Sequence, residues 1–188
     1  MGKLNLVKSS LGGFMVIEPT VFADARGYFV ETYNERDLSE IGITTKFVQD
    51  NESKSSMGVL RGLHFQTRQA QDKLVRVIQG EVLDVAVDLR AGSPTFGQWD
   101  SAILSGENKR MAFVPRGFAH GFVVRSETAV FAYKCSDYYD PTSEAGIMWN
   151  DETIAVDWQL EGIEPLLSQK DTAQPTFLEA QQRGLISK

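Results

Sequence analysis

Apolar and polar residues alternate with a period of two in many short runs along this chain. The segment 81–90 shows this most clearly. Leu83, Val85, Val87 and Leu89 fall on one face, and Val82, Asp84, Ala86 and Asp88 on the other, as successive side chains of a strand must. Similar runs fall near 14–19, 27–33, 58–66, 73–79, 99–104, 111–114, 120–124 and 128–135. Gly80, between two such runs, marks a hairpin turn. Helical signals are few. Asn34 as N-cap, Asp37 in the first turn, and Leu38 and Ile41 on one side predict a short helix over 34–41. A second short helix is expected to start near Asp171 or Gln174, with Pro175 early and Gly184 terminating it. Many short strands divided by turn residues predict an all-β sandwich or barrel rather than alternating strand–helix units. No repeat, low-complexity tract or linker interrupts the pattern, so one domain over 1–188 is expected.

Composition narrows the function classes. A chain of 188 residues can bury enough surface to fold without disulfides or a structural metal. With 42% hydrophobic and 23% charged residues, disorder is not expected. Twenty-five acidic against 19 basic residues give a net charge of −6, and no basic run is present. No nucleic-acid or membrane-surface partner is therefore expected, and a phosphorylated ligand would need locally placed cations. No apolar stretch approaches the roughly 18 residues of a membrane span, and the N-terminus shows no apolar core of a secretory signal. Cys135 is the only cysteine, which rules out an intramolecular disulfide or a CxxC site and points to a reduced, cytoplasmic setting. With His64 and His120 as the whole histidine supply, a three-histidine metal site within one chain is excluded by counting.

Potential chemistry clusters in two stretches. In 58–66, strand alternation puts Gly62, His64 and Gln66 on one face and Arg61, Leu63 and Phe65 on the other. Arg61 spoils the apolar side: either it points away from His64, or Gly62 marks a bulge that re-aims it. His120 opens a strand after the turn Pro115-Arg116-Gly117. Tyr133, inside an apolar run, would need a partner for a buried hydroxyl. Each residue alone has an ordinary reading. His64 and His120 could be structural, Lys73 a solvated strand-entry lysine, and Asp84 and Asp88 the wet face of a sheet. Asp171 could cap a helix, and Arg26 could pair with Asp24 or Glu31 on the surface.

The motifs are more specific together than apart. Asp24-Ala25-Arg26-Gly27-Tyr28-Phe29-Val30-Glu31, Phe47-Val48-Gln49-Asp50-Asn51, Gly58-Val59-Leu60-Arg61-Gly62-Leu63-His64 and Lys73-Leu74-Val75 come first. Asp84-Val85-Ala86-Val87-Asp88-Leu89-Arg90, Gly117-Phe118-Ala119-His120-Gly121-Phe122, Tyr138-Tyr139 and Leu167-Ser168-Gln169-Lys170-Asp171 follow. In this order, from about residue 17 to 171, they resemble the dTDP-4-dehydrorhamnose 3,5-epimerase family. The resemblance implies an all-β, cupin-like jelly roll (double-stranded β-helix) with a few short peripheral helices. It implies an isomerase acting on a dTDP-4-keto-6-deoxyhexose, with no metal or other cofactor, and a homodimer with N-terminal strand exchange. Both hydrogens to be inverted, at C3 and C5, are α to the C4 carbonyl. The reaction therefore needs a base on one face, an acid on the other, and positive charge or a donor at O4. By resemblance His64 is the base, Asp171 its orienting carboxylate, Tyr133 the acid and Lys73 the cation at the carbonyl oxygen. His120, with Asp84, positions the sugar. Arg26 and Arg61 contact the diphosphate, Tyr139 lines the sugar pocket or stacks on thymine, and Glu31, Gln49, Asp50, Asn51, Glu144 and Lys170 are further substrate contacts. Arg26 and Glu31 are expected to complete a partner's site.

Three alternatives stay open in the sequence. A related enzyme could epimerise only C3 or only C5. A metal-dependent cupin is suggested by 115–120, which resembles a PxGxxH element, but His64 is followed by Phe65-Gln66 rather than completing an HxH pair. A non-catalytic jelly roll binding a sugar nucleotide is the third.

Overall fold

The computed structural model describes residues 3–186; Met1 and Gly2, part of the N-terminal segment read for a leader, lie outside them. In chain order the elements are β1 (Leu4–Ser10), β2 (Phe14–Pro19), β3 (Val21–Asp24), β4 (Gly27–Val30), α1 (Glu35–Glu40), β5 (Gln49–Ser56), β6 (Leu60–Gln66) and β7 (Lys73–Gln79). Then come β8 (Glu81–Asp88), β9 (Trp99–Ser105), β10 (Met111–Val114), β11 (Phe118–Val124), β12 (Thr128–Cys135), β13 (Glu144–Gly146), α2 (Gln169–Thr172) and α3 (Phe177–Gln182). One sheet has the order β1-β2-β10-β7-β12-β5, the other β13-β6-β11-β8-β9, and β3-β4 form a separate hairpin. The strands pair antiparallel, and the two sheets face each other as a cupin-like jelly roll.

Three apolar clusters make the layers. Val16, Val75, Val77, Val82, Ala86, Phe122 and Phe131 fill the space between the sheets. Leu83, Val85, Val87 and Leu89 turn outward beneath Ile147, Trp158, Phe177 and Ala180 of the C-terminal segment. Leu38 of α1 covers the other sheet with Ile17, Leu74 and Met111. The two faces of β8 are therefore divided as the alternation predicts, but neither is wet. Asp84 and Asp88 are fully buried, because their face lines the inside of the roll while the apolar face is covered by the C-terminal segment.

Asn34 caps α1, accepting from the backbone N–H of Arg36 and Asp37. At the other end the expected single helix is two. Ser168, not Asp171, caps α2, and Thr176 caps α3 through a capping box with Glu179. Gly184 follows α3 at φ +69°.

Arg61 is re-aimed by a bulge. His64 pairs with His120, but Arg61 pairs with Phe122, so β6 holds one more residue than β11 between the two pairs. Leu60 and Leu63 consequently both pack beneath the C-terminal segment, while Arg61, itself exposed, and His64 both line one cavity. Gly62 permits this: a Cβ there would come within 2.6 Å of the Gly121 Cα. The same crossing is tight from the other side, where a Cβ on Gly121 would meet the Arg61 carbonyl oxygen at 2.8 Å.

Candidate active site

The two sheets bring opposed side chains to one cavity. From the five-stranded sheet come His64 of β6 and His120 of β11; from the six-stranded sheet come Lys73 of β7 and Tyr133 of β12. His64, Lys73, Tyr133 and Glu144 border two connected lobes. One is lined by Arg61, Phe122, Phe131 and Asp171, the other by Gln49, Asn51, Gln66, Cys135 and Tyr139. The strands are rigid supports, so these groups are held across the gap without relying on mobile loops.

His64 Nε2 lies 2.6 Å from Asp171 Oδ1. Asp171 is buried, and its second oxygen accepts the Ser168 hydroxyl at 2.6 Å. Burial pushes the Asp171 carboxyl up, but the bonds from His64 and Ser168 outweigh this and hold it below the usual range. It is therefore an anion at neutral pH, and it selects the tautomer that carries its proton on Nε2. That leaves Nδ1 as the nitrogen free to take a proton.

A second histidine–carboxylate pair lies deeper. His120 Nε2 is 2.8 Å from Asp84 Oδ2, and among the described residues Asp84 Oδ1 has no hydrogen-bond partner. His120 stacks on Phe131, which stacks on Phe122 with ring centroids 4.3 Å apart.

Across the cavity, burial pushes the Lys73 ammonium down from its usual value, opposed by the nearby Cys135, Asp84 and Glu144. Burial likewise pushes the Tyr133 phenol up, so it stays protonated at neutral pH and keeps a proton to donate. At the rim, Glu144 pairs with Lys170 and accepts the Tyr139 hydroxyl at 2.6 Å. Gln49 Oε1 accepts the Tyr139 backbone N–H, and its amide donates to Asn51.

Three of the residues named from the sequence lie elsewhere. Asp50 points to the outer face of its sheet, 2.8 Å from Lys134. Arg26 is in the exposed β3–β4 hairpin, paired with Asp24 at 2.6 Å. Glu31 accepts from Asn34 at 2.9 Å. Strand alternation alone separates Asp50 from Gln49 and Asn51. Ser168 and Cys135 were not picked out by the sequence reading. The Ser-x-x-Asp spacing of 168–171 is a capping signature that could have drawn attention to Ser168; Cys135 carries no comparable local signal.

A histidine on one sheet, paired with a buried carboxylate, faces a phenol and a lysine on the other, which gives this cupin-like fold the groups needed to move protons on and off a carbonyl compound. The dTDP-4-dehydrorhamnose 3,5-epimerase family model matches residues 8–179. The chain is 56% identical to the dTDP-4-dehydrorhamnose 3,5-epimerase of Pseudomonas aeruginosa over 167 residues, 88% of this chain and 92% of that one. It is 52% identical to the enzyme of the same name from Methanothermobacter thermautotrophicus over 172 residues, 91% of this chain and 93% of that one. A crystal structure of dTDP-6-deoxy-D-glucose-3,5-epimerase from Legionella pneumophila, in complex with dTDP-4-keto-L-rhamnose, matches at TM-score 0.93 and 50% identity, covering 98% of each chain. The chain belongs to the dTDP-4-dehydrorhamnose 3,5-epimerase family.

Proposed function

We propose that the chain inverts C3 and C5 of dTDP-4-dehydro-6-deoxy-D-glucose, giving dTDP-4-dehydro-L-rhamnose. The observation that carries this is the His64–Asp171 pair, opening on a cavity that Tyr133 and Lys73 border from the other sheet. His64 takes the proton from a carbon next to the C4 carbonyl, and Asp171 steadies the imidazolium that forms. Lys73 balances charge on the enolate oxygen. Tyr133 delivers a proton to the opposite face, which inverts the carbon. The same four groups serve the second centre once the ring presents its other α-hydrogen.

His120, fixed by Asp84, positions the sugar. Arg61 meets the diphosphate, since its guanidinium is the arginine that faces into the cavity. Gln49, Asn51, Tyr139, Glu144 and Lys170 hold the nucleotide end. β1 pairs with β2 of its own chain. The β3–β4 hairpin, with Phe22, Tyr28 and Phe29 exposed, is the part suited to reach a second copy, bringing Arg26 and Glu31 toward the partner's cavity in a homodimer. No described helix is long and apolar enough to cross a membrane, and the lone buried thiol fits a cytoplasmic protein.

The test is product identity. The purified protein is given dTDP-4-dehydro-6-deoxy-D-glucose together with a reductase that traps the 4-keto product, and the reduced sugar is read by NMR. The L-rhamno configuration is expected. A product inverted at one centre only would assign the chain to a monoepimerase.

A further inference from the structure

Lys73 is a flexible side chain asked to hold one place. Among the described residues its ammonium has no hydrogen-bond or ion-pair partner; only longer-range charges act on it. A lysine head on a four-carbon stem is otherwise free to swing, so its location depends on where the backbone at the start of β7 is anchored.

That anchor is the preceding residue. Asp72 is buried, and its carboxylate ties together two segments, at Arg116 and Thr45. Oδ1 accepts the Arg116 backbone N–H at 2.7 Å, and Oδ2 accepts Arg116 Nη2 at 2.9 Å and Nε at 3.2 Å. Oδ2 also accepts the Thr45 hydroxyl at 3.2 Å. The Asp72 backbone is tied as well: its N–H donates to Ser136 Oγ at 2.8 Å, and its carbonyl accepts the Ser136 N–H at 3.0 Å. Lys73 itself pairs with Val114 on one side and Cys135 on the other, so residue 72 sits where β10 and β12 end beside β7. Gly117 and Phe118, just beyond Arg116, line the cavity with Lys73.

We propose that Asp72 is a positioning residue: its clamp on Arg116 and Ser136 sets where the Lys73 ammonium stands relative to the substrate carbonyl. The inference rests on the reading of Lys73 as the enolate cation. Asp72 is not among the residues that line either lobe of the cavity. Charge stabilisation of a developing oxyanion falls steeply with misplacement, and a shift of about 1 Å can cost up to about 10²-fold.

The experiment is a double-mutant cycle in the full chain, read by turnover and by solvent deuterium exchange, with the melting temperature and dTDP binding measured alongside. Asp72→Asn should lower turnover and exchange together by about tenfold, with dTDP binding unchanged. Added to Lys73→Ala, the same substitution should cost less than about twofold, because there is no ammonium left to misplace. Arg116→Met opens the clamp from its exposed side and should repeat the pattern, so the cycle can be closed even if Asp72→Asn does not fold. Losses that multiply in the double variants would make the clamp a general structural feature and overturn the inference. Full activity in Lys73→Ala would instead overturn the reading of Lys73, and the inference with it.

Discussion

Tyr133→Phe separates proton removal from proton return. The substitution deletes one oxygen, and the phenol hydroxyl donates no hydrogen bond within the described residues, so no internal bond is lost. Packing against Phe131, at 6.0 Å between ring centroids, is retained. Stability should change by less than about 1 kcal/mol. Losing a general acid should lower epimerisation by about 10² to 10⁴-fold, equivalent to about 3 to 5 kcal/mol of barrier. His64, Asp171 and Lys73 remain, so proton abstraction continues and the proton returns to the face it left. In deuterium oxide the variant should exchange substrate hydrogen faster than it epimerises, whereas in the wild type the two stay coupled. Lys73→Ala should slow both together. Equal loss of exchange and epimerisation in Tyr133→Phe would refute the acid assignment and make Tyr133 a packing residue.

Asp88 should make the fold acid-sensitive in a defined window. Burial pushes its carboxyl up, but bonds from Arg90, Ser93 and Thr95 outweigh this and bring it down to about 2. A depressed carboxyl contributes stability that is fully present above the unfolded value of about 3.9 and is lost as pH falls through the folded value, here worth about 2 kcal/mol. The difference in urea midpoint between wild type and Asp88→Asn should thus shrink between about pH 4 and pH 2; a gap that stays constant would refute this. Gly62→Ala should disrupt folding, since its Cβ would meet the Gly121 Cα at 2.6 Å; an unchanged melting temperature would contradict the close crossing of β6 and β11. Prolonged chelation should leave turnover intact, and a loss restored by iron, manganese or zinc would favour a metal-dependent site. Light scattering at micromolar concentration should give a dimer, with an active monomer as the opposing result.

Three edge strands escape the apolar pattern, although β9, also an edge, shows it. β5, residues Gln49–Ser56, contains no apolar side chain and lies at the edge of its sheet. β1 and β13, also unpredicted, are edges too. β5 is held by its backbone pairing with β12 rather than by an apolar face, so no apolar alternation marks it. Asp84 and Asp88 look solvated in a single strand, because the C-terminal cover over β8 comes from residues far along the chain. The bulge at Gly62 was legible as one of two options, since Arg61 broke an otherwise apolar face. The partnership of His64 with Asp171, 107 residues apart, was not legible from spacing. It entered through family resemblance, and only the fold brings the two side chains together. The outward direction of Asp50 was available from alternation with Gln49 and Asn51.

The role proposed for His64, held by Asp171, is removal of the carbon-bound protons. It is tested most directly by incubating His64→Ala with dTDP-4-dehydro-6-deoxy-D-glucose in deuterium oxide and following the C3 and C5 proton signals by NMR, with dTDP binding measured on the same sample. Wild type should incorporate deuterium at both carbons. The variant should bind dTDP normally yet incorporate deuterium at either carbon at least about 10²-fold more slowly. Incorporation at the wild-type rate at either carbon would mean that a different group removes that proton.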